Sequence, residues 1–281
     1  MSSIAANAAM APPRGEGVAD NLKLRFASAL VLAPVTILAL VWSAASFAIL
    51  MILAGLAMAW EWDRLRTGRF GPAGWIAAVA VVVAAGFALS GYVSVAGFVT
   101  CGAAVLGYFM VRLTDRRDAA LAALGALVAV ATVSALIWLR SIPDTGLALA
   151  GWLLGTVWAT DTGAYVAGKL IGGPKLAPRI SPGKTWAGLA GGVVLAAGWG
   201  AAFGLIWTGG AGRSAAAAAC GAVLAQAGDL VISAVKRNYG AKDSSDIIPG
   251  HGGVLDRVAG LVITGPLMAS MVALGSFAPW R

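Results

Sequence analysis

Of the 281 residues, 59% are hydrophobic and 11% are charged, and the mean hydropathy is +0.85. A soluble domain has about 25% charged residues and about 45–50% apolar ones, so a water-soluble globule is excluded. The net charge of +8, from 20 Lys and Arg against 12 Asp and Glu, must sit in the little sequence left between apolar blocks.

Residues 1–24 are rich in Ala and Pro and carry Arg14, Glu16, Asp20 and Lys23. They lack an apolar core followed by a small-residue cleavage site, so they are expected to form a mobile tail on the cytoplasmic side rather than a signal peptide. Nine apolar blocks follow, each near the roughly 17–25 residues a helix needs to span a bilayer. They run Phe26 to Trp42, Ala44 to Trp60, Ala73 to Gly91, Tyr92 to Val111 and Ala119 to Leu139, then Gly146 to Gly168, Trp186 to Trp207, Ser214 to Val235 and Val254 to Phe277. The blocks are too long and too uniformly apolar for alternating barrel strands, and only helices satisfy their own backbone in hydrocarbon. An all-α polytopic integral membrane bundle of about nine transmembrane helices is expected. About five helices lie in residues 25–145, and the rest lie in 146–281 with their connecting loops.

Alternate connections differ sharply in charge. Three basic residues precede the first block, three follow the second, three the fourth, four the sixth and four the eighth, leaving only Arg140, Arg213 and Arg281 for the other side. Lys and Arg are retained on the cytoplasmic side of short loops, so the N-terminus is expected in the cytoplasm and the C-terminus outside. The basic face would attract anionic headgroups and nucleotide phosphates. No separate basic domain with stacking aromatics exists, so nucleic acid is not an expected partner. Cys101 and Cys220 lie inside apolar blocks and read as small buried thiols. Gly151-x3-Gly155, Gly168-x3-Gly172, Gly188-x3-Gly192 and Gly200-x3-Gly204 read as helix-packing or dimer contacts.

Asp161, Asp229 and Asp256 fall inside the expected spans, where an ionisable group is costly unless paired, hydrated or bound to a cation. At about 1.5 Å per residue, Asp161 lies about 12 Å and Asp229 about 9 Å from the cytoplasmic ends of their helices, while Asp256 opens the last helix on that side. For Asp161 a structural ion pair tying helices together is the alternative to a functional role. The sixth loop, Gly168 to Thr185, offers Ser181, Thr185, Lys184 and backbone N–H groups suited to phosphates. Its Gly183-Lys184-Thr185 is not a Walker A loop, because Pro178 stands where that motif needs glycine. Asp229, Ser233 and Lys236 share one helix face, followed by Arg237, Lys242 and Asp243. Gly250, Gly252 and Gly253 permit close approach of a ligand before Asp256 and Arg257. The whole reads as a pocket at the cytoplasmic interface, with carboxylates for Mg2+, alone or with a second cation, and cations for phosphate. Zinc does not fit a chain with one histidine. His251 reads as a phosphate donor or loop organiser, with a general-base role as the other reading.

Ser233-x-Val235-Lys236-Arg237-x4-Lys242-Asp243-x-Ser245-x2-Ile248-Pro249-x-His251-Gly252-Gly253-Val254-x-Asp256-Arg257-Val258 resembles the signature of the phosphatidate cytidylyltransferases, the CDP-diacylglycerol synthases. Asp161-Thr162-Gly163-Ala164-Tyr165-x2-Gly168-Lys169 and Ser181-Pro182-x-Lys184-Thr185-Trp186 are similar to a second segment of that family. The resemblance implies reaction of CTP with phosphatidate to give CDP-diacylglycerol and pyrophosphate, in phospholipid biosynthesis. It further implies a divalent metal, a homodimeric scaffold in the lipid bilayer and, with the Ala-rich composition, a bacterial inner membrane. Under it, Asp229 and Asp256 hold Mg2+ with Asp243 near, and Lys184, Lys236, Arg237 and Lys242 neutralise phosphates. Ala187 and Ala259 stand where the family usually has acids, which leaves a catalytically impaired member as one alternative. A CTP-dependent lipid kinase and a transporter using buried acids are the others.

Overall fold

The computed structural model describes residues 18–208, 210–250 and 252–275, and side chains from Leu30 onward apart from Thr208. His251 lies outside the described residues. Ten helices and one short hairpin follow in order: α1 (Val18–Trp42), α2 (Ala44–Thr67), α3 (Pro72–Leu89), α4 (Val93–Arg112), α5 (Ala119–Ser141), α6 (Gly146–Leu170), β1 (Lys175–Ala177), β2 (Ser181–Thr185), α7 (Trp186–Thr208), α8 (Ala211–Asn238), α9 (Val254–Val258) and α10 (Leu261–Ala273). Among the described residues six helices are long and apolar enough to cross a membrane: α2, α3, α4, α5, α7 and α8. Polar residues such as Thr156, Thr160 and Asp161 dilute the apolarity of α6, while the described part of α1 and all of α10 are shorter apolar helices.

Two packing groups make the bundle. Helices α2 to α5 pack on one another, α7 packs between α6 and α8, and α5 with α10 joins the groups. As the shared element, α5 is 67% buried along its apolar window, against 28% for α4 and α7 at the periphery. Large apolar side chains such as Phe98, Leu106, Val194 and Ile206 point outward, as in a protein whose outer solvent is hydrocarbon. Inside the bundle, close approach depends on small residues: a Cβ on Gly163 would meet the Gly191 carbonyl at 2.4 Å, and one on Gly200 the Ser214 carbonyl at 2.4 Å. Indole donors add cross-links, with Trp62 Nε1 bonding the Leu121 carbonyl at 2.9 Å and Trp152 Nε1 bonding Ser214 Oγ at 2.9 Å.

Four sequence expectations change. The expected tail is helical from Val18, ahead of the apolar block at Phe26. The expected span from Val254 to Phe277 is split at Ala259-Gly260, where Gly260 sits so close to Val157 that a Cβ would approach it at 2.8 Å; its end lies outside the described residues. The sixth loop contains an antiparallel hairpin pairing Lys175 with Thr185 and Ala177 with Ser181. Cys101 and Cys220 are free thiols but exposed, because in a membrane bundle an apolar stretch has an outward face as well as an inward one.

Candidate functional site

Antiparallel alternation brings the ends of α2, α6 and α8 and the starts of α5, α7 and α9 to one end of the bundle. Two carboxylate–lysine pairs sit there. On β2, the last turn of the hairpin places Lys184 so that its Nζ donates to Asp229 Oδ2 at 2.8 Å and to Gln226 Oε1 at 2.9 Å, both one face of α8. Asp161, from α6, lines the same cavity of about 200 Å3 with Lys184, Gln226 and Asp229. It feels the like charge of Asp229 and the opposite charges of Lys184 and Arg257. Asp161, Asp229 and Lys184, expected from three separate stretches, are thus brought together.

The second pair is two helical turns along α8. Lys236 Nζ donates to Asp256 Oδ1, and both side chains are largely buried. The other oxygen, Oδ2, accepts from Ser244 N at 2.9 Å, Ser244 Oγ at 3.0 Å and Gly253 N at 3.1 Å. Asp256 thereby reaches back to the amide that precedes its own helix, as a residue in a helix's first turn often does. Burial pushes its carboxyl up, but the Lys236 ammonium and the Ser244 and Gly253 amides outweigh that and hold it below the usual carboxylate range. Asp229 and Lys236 are seven residues apart on one face, about 10 Å along the axis, so the two carboxylates are neutralised separately, each by its own lysine.

The remaining expected residues divide. Gly252 is in the left-handed region, φ +79°, and Ile248 N bonds its carbonyl at 2.9 Å, which turns the chain back toward α9. At Gly253 a Cβ would lie 2.0 Å from Ser244 Oγ and 2.4 Å from Glu61 Oε1, so this glycine is required by packing within the protein. Thr185 is buried, and its hydroxyl accepts from Gly188 N at 3.0 Å, capping α7, while the residue also lines the cavity shared by Asp161, Lys184 and Asp229. Arg237 is an exposed strut, with Nε donating to the Ile180 carbonyl at 3.2 Å and Nη1 to the Ala241 carbonyl at 3.0 Å. Ser181 ends the hairpin pairing, while Lys242, Asp243 and Arg257 are exposed around the rim. The described residues contain no group of three or more His, Cys, Asp or Glu placed to hold a metal ion, so Asp229, Asp256 and Asp243 are not gathered as a trio.

Sequence reasoning missed Glu61. It is fully buried near the end of α2 and accepts four hydrogen bonds: Oε1 from Ser245 Oγ at 2.6 Å and Val254 N at 2.8 Å, Oε2 from Ser244 Oγ at 3.0 Å and Leu255 N at 2.7 Å. It holds the loop ahead of α9 and the first turn of that helix. Two residues on, Asp63 accepts from Arg66 Nη2 at 2.8 Å and from Gly71 N at 2.6 Å, while Arg66 also pairs with Asp118, which accepts from the Tyr239 hydroxyl. Burial first, and Asp118 next, hold the Tyr239 phenol well above its usual range. These acids escaped notice because the apolar block ends at Trp60, whereas the helix continues to Thr67 and carries them into the interior.

Fold and site together define a helical membrane protein whose charged end gathers paired lysines and carboxylates under a glycine-turned loop. The sequence pattern of the family described as "Cytidylyltransferase family" matches residues 23–274. The chain is 37% identical over 254 residues to a phosphatidate cytidylyltransferase of Brucella suis biovar 1, covering 89% of this chain and 92% of that one. It is 37% identical over 279 residues to the phosphatidate cytidylyltransferase of Pseudomonas aeruginosa, covering 92% and 100%. A phosphatidate cytidylyltransferase of Bacillus subtilis is 39% identical over 149 residues, 49% of this chain and 52% of that one. The chain belongs to the cytidylyltransferase family.

Proposed function

We propose that this protein transfers a cytidylyl group from CTP to phosphatidate, giving CDP-diacylglycerol and pyrophosphate. The observation that carries the reading is the convergence of Lys184–Asp229 and Lys236–Asp256 at one charged end of a membrane bundle, in a chain whose relatives over nearly its whole length bear that name. A phosphate oxygen of phosphatidate attacks the α-phosphorus of CTP in line; that P–O bond forms as the bond to the β-phosphate oxygen breaks, and pyrophosphate carries the electron pair away. The attacking oxygen is already ionised near neutral pH, so no general base is needed, and positioning with charge neutralisation carries the rate. Lys184 and Lys236 each hold a carboxylate until phosphate oxygens enter, then turn toward them, with Lys242 and Arg257 at the rim. Once Lys184 and Lys236 turn to the phosphates, the hard oxygens they release on Asp229 and Asp256 would each be open to Mg2+, which is commonly held by one or two carboxylates with substrate phosphates completing its shell. When bound, Mg2+ supplies neutralisation of the triphosphate charge.

The same reading puts the charged end in the cytoplasm of a bacterium, with nine membrane-crossing segments, the N-terminus inside and a homodimer in the inner membrane. The lysine- and arginine-rich connections support that orientation. Phosphatidate would meet the site from the headgroup layer and CTP from the cytosol. Radiolabel distinguishes the alternatives in a purified assay with Mg2+ and phosphatidate. α-Labelled CTP is expected to mark the lipid and γ-labelled CTP to mark only pyrophosphate. Lipid labelled from the γ-position would make the protein a kinase, and no label from either, with solute flux in liposomes, a transporter.

A further inference from the structure

Beside the two lysine–carboxylate pairs lies a separate cavity of about 410 Å3, formed by the last turns of α2 and the loop ahead of α9. Its walls are unlike those of a lipid-facing groove. Arg64 stacks its guanidinium over the Trp60 ring, 4.7 Å from the centroid, which makes a flat, cationic platform. Across from it stand Ser244, Ser245 and Asp246. Among the described residues Arg64 has no acidic partner and Asp246 accepts no hydrogen bond, and both are exposed residues that line the cavity. Ser244 links this cavity to the reaction site: it lines the cavity, donates its amide to Asp256 Oδ2 at 2.9 Å, and its hydroxyl lies 3.0 Å from both Asp256 Oδ2 and Glu61 Oε2.

We infer that this cavity takes the pyrimidine base of the nucleotide, with Trp60 and Arg64 as the stacking platform and Asp246 reading the exocyclic amine of cytosine. The inference rests on the cytidylyl-transfer reading above and supplies what that reading lacks, a basis for choosing among nucleotides. Aromatic and guanidinium planes stack any base and give affinity without choice. Choice needs an edge contact, and a carboxylate, which only accepts, matches the N4 amino group that cytosine has where uracil has a carbonyl. Because Ser244 also holds Asp256, a base seated here directs its phosphates toward Asp256 and Lys236. Glu61, which fixes Ser244 and Ser245 from below, sets the spacing between the two parts.

The test compares CTP and UTP as donors to phosphatidate in the full-length protein in detergent. Asp246→Asn can turn its amide toward the O4 of uracil, so the CTP-to-UTP ratio of kcat/KM is expected to fall at least about tenfold, while the KM for phosphatidate stays put. Asp246→Glu, which keeps the acceptor, is expected to retain a preference for CTP. Trp60→Leu is expected to raise the KM for CTP and UTP alike by about tenfold, with a melting temperature near that of the wild type. An unchanged ratio in Asp246→Asn would overturn the inference. So would a rise in the KM for phosphatidate alone in Trp60→Leu, which would make Trp60 and Arg64 a headgroup anchor. A wild-type protein that transfers nothing from CTP would overturn the reading of the whole site, and the base pocket with it.

Discussion

Glu61 accepts four hydrogen bonds in a fully buried position, and every one comes from the loop ahead of α9 or the first turn of that helix. Removing it leaves the Val254 and Leu255 amides without their acceptor, while the Ser244 hydroxyl still has Asp256 Oδ2 and the Ser245 hydroxyl lines a cavity. Bonds to a charged acceptor contribute about 1.5–3 kcal/mol each, and buried donors left unpaired add to the loss. Glu61→Ala is therefore expected to destabilise the protein by about 3 kcal/mol or more; Glu61→Gln, which keeps one accepting oxygen, should fall between it and wild type, read as melting temperature in detergent. Asp256 sets the pH behaviour. Its carboxyl is held below the usual range, so its contribution is complete above the unfolded value near about pH 4 and is lost as the pH falls through the lower folded value. In a melting series from neutral to acid pH, the difference between wild type and Asp256→Asn should stay constant down to that point and narrow below it.

At the scale of elements, α2 gives the clearest lesson in what a sequence shows. Its apolar stretch is plain to Trp60, and so are the acids Asp161 and Asp229, because a carboxylate inside a hydrophobic block is conspicuous. Glu61 and Asp63 were hidden because they follow that stretch directly, where a charge looks like an ordinary loop residue; only the packing of α2 against α5 and α9 shows them to be interior. Lys184 and Lys236 are legible as site residues, but which acid each neutralises is not, since Lys184 and Asp229 lie 45 residues apart and meet through the hairpin. Thr185 has a second role that its sequence neighbours do not show: its hydroxyl caps α7 through Gly188 N while the residue lines the cavity of Lys184 and Asp229. The Arg66 cluster predicts how the elements hold together. Arg66→Met leaves Asp63 and Asp118 buried without a cation and is expected to cost about 3–5 kcal/mol. Tyr239→Phe removes one hydrogen bond, leaves the Arg66 pairs intact and should cost about 1 kcal/mol. Thermal inactivation of the two variants side by side checks that ordering.

For the molecule as a whole, the uneven charge of its two ends implies a direction in the membrane. In a protein whose Cys101 and Cys220 are replaced by Ala, a cysteine at Ser245, at the charged end, is expected to react with a membrane-impermeant thiol reagent only in inside-out vesicles. A cysteine at Asp144, in the connection at the other end, should react only in right-side-out ones. The opposite pattern would reverse the orientation drawn from the loops. Cytidylyl transfer is expected to depend on the two lysine-paired carboxylates, and the most direct measurement of that is incorporation of α-labelled CTP into phosphatidate by wild type, Asp229→Asn and Asp256→Asn in the presence of Mg2+. Each variant is expected to lose at least about 100-fold in rate, the scale on which removing one preorganised charge-stabilising group acts, while keeping a cooperative melt. Full labelling by both variants would contradict it.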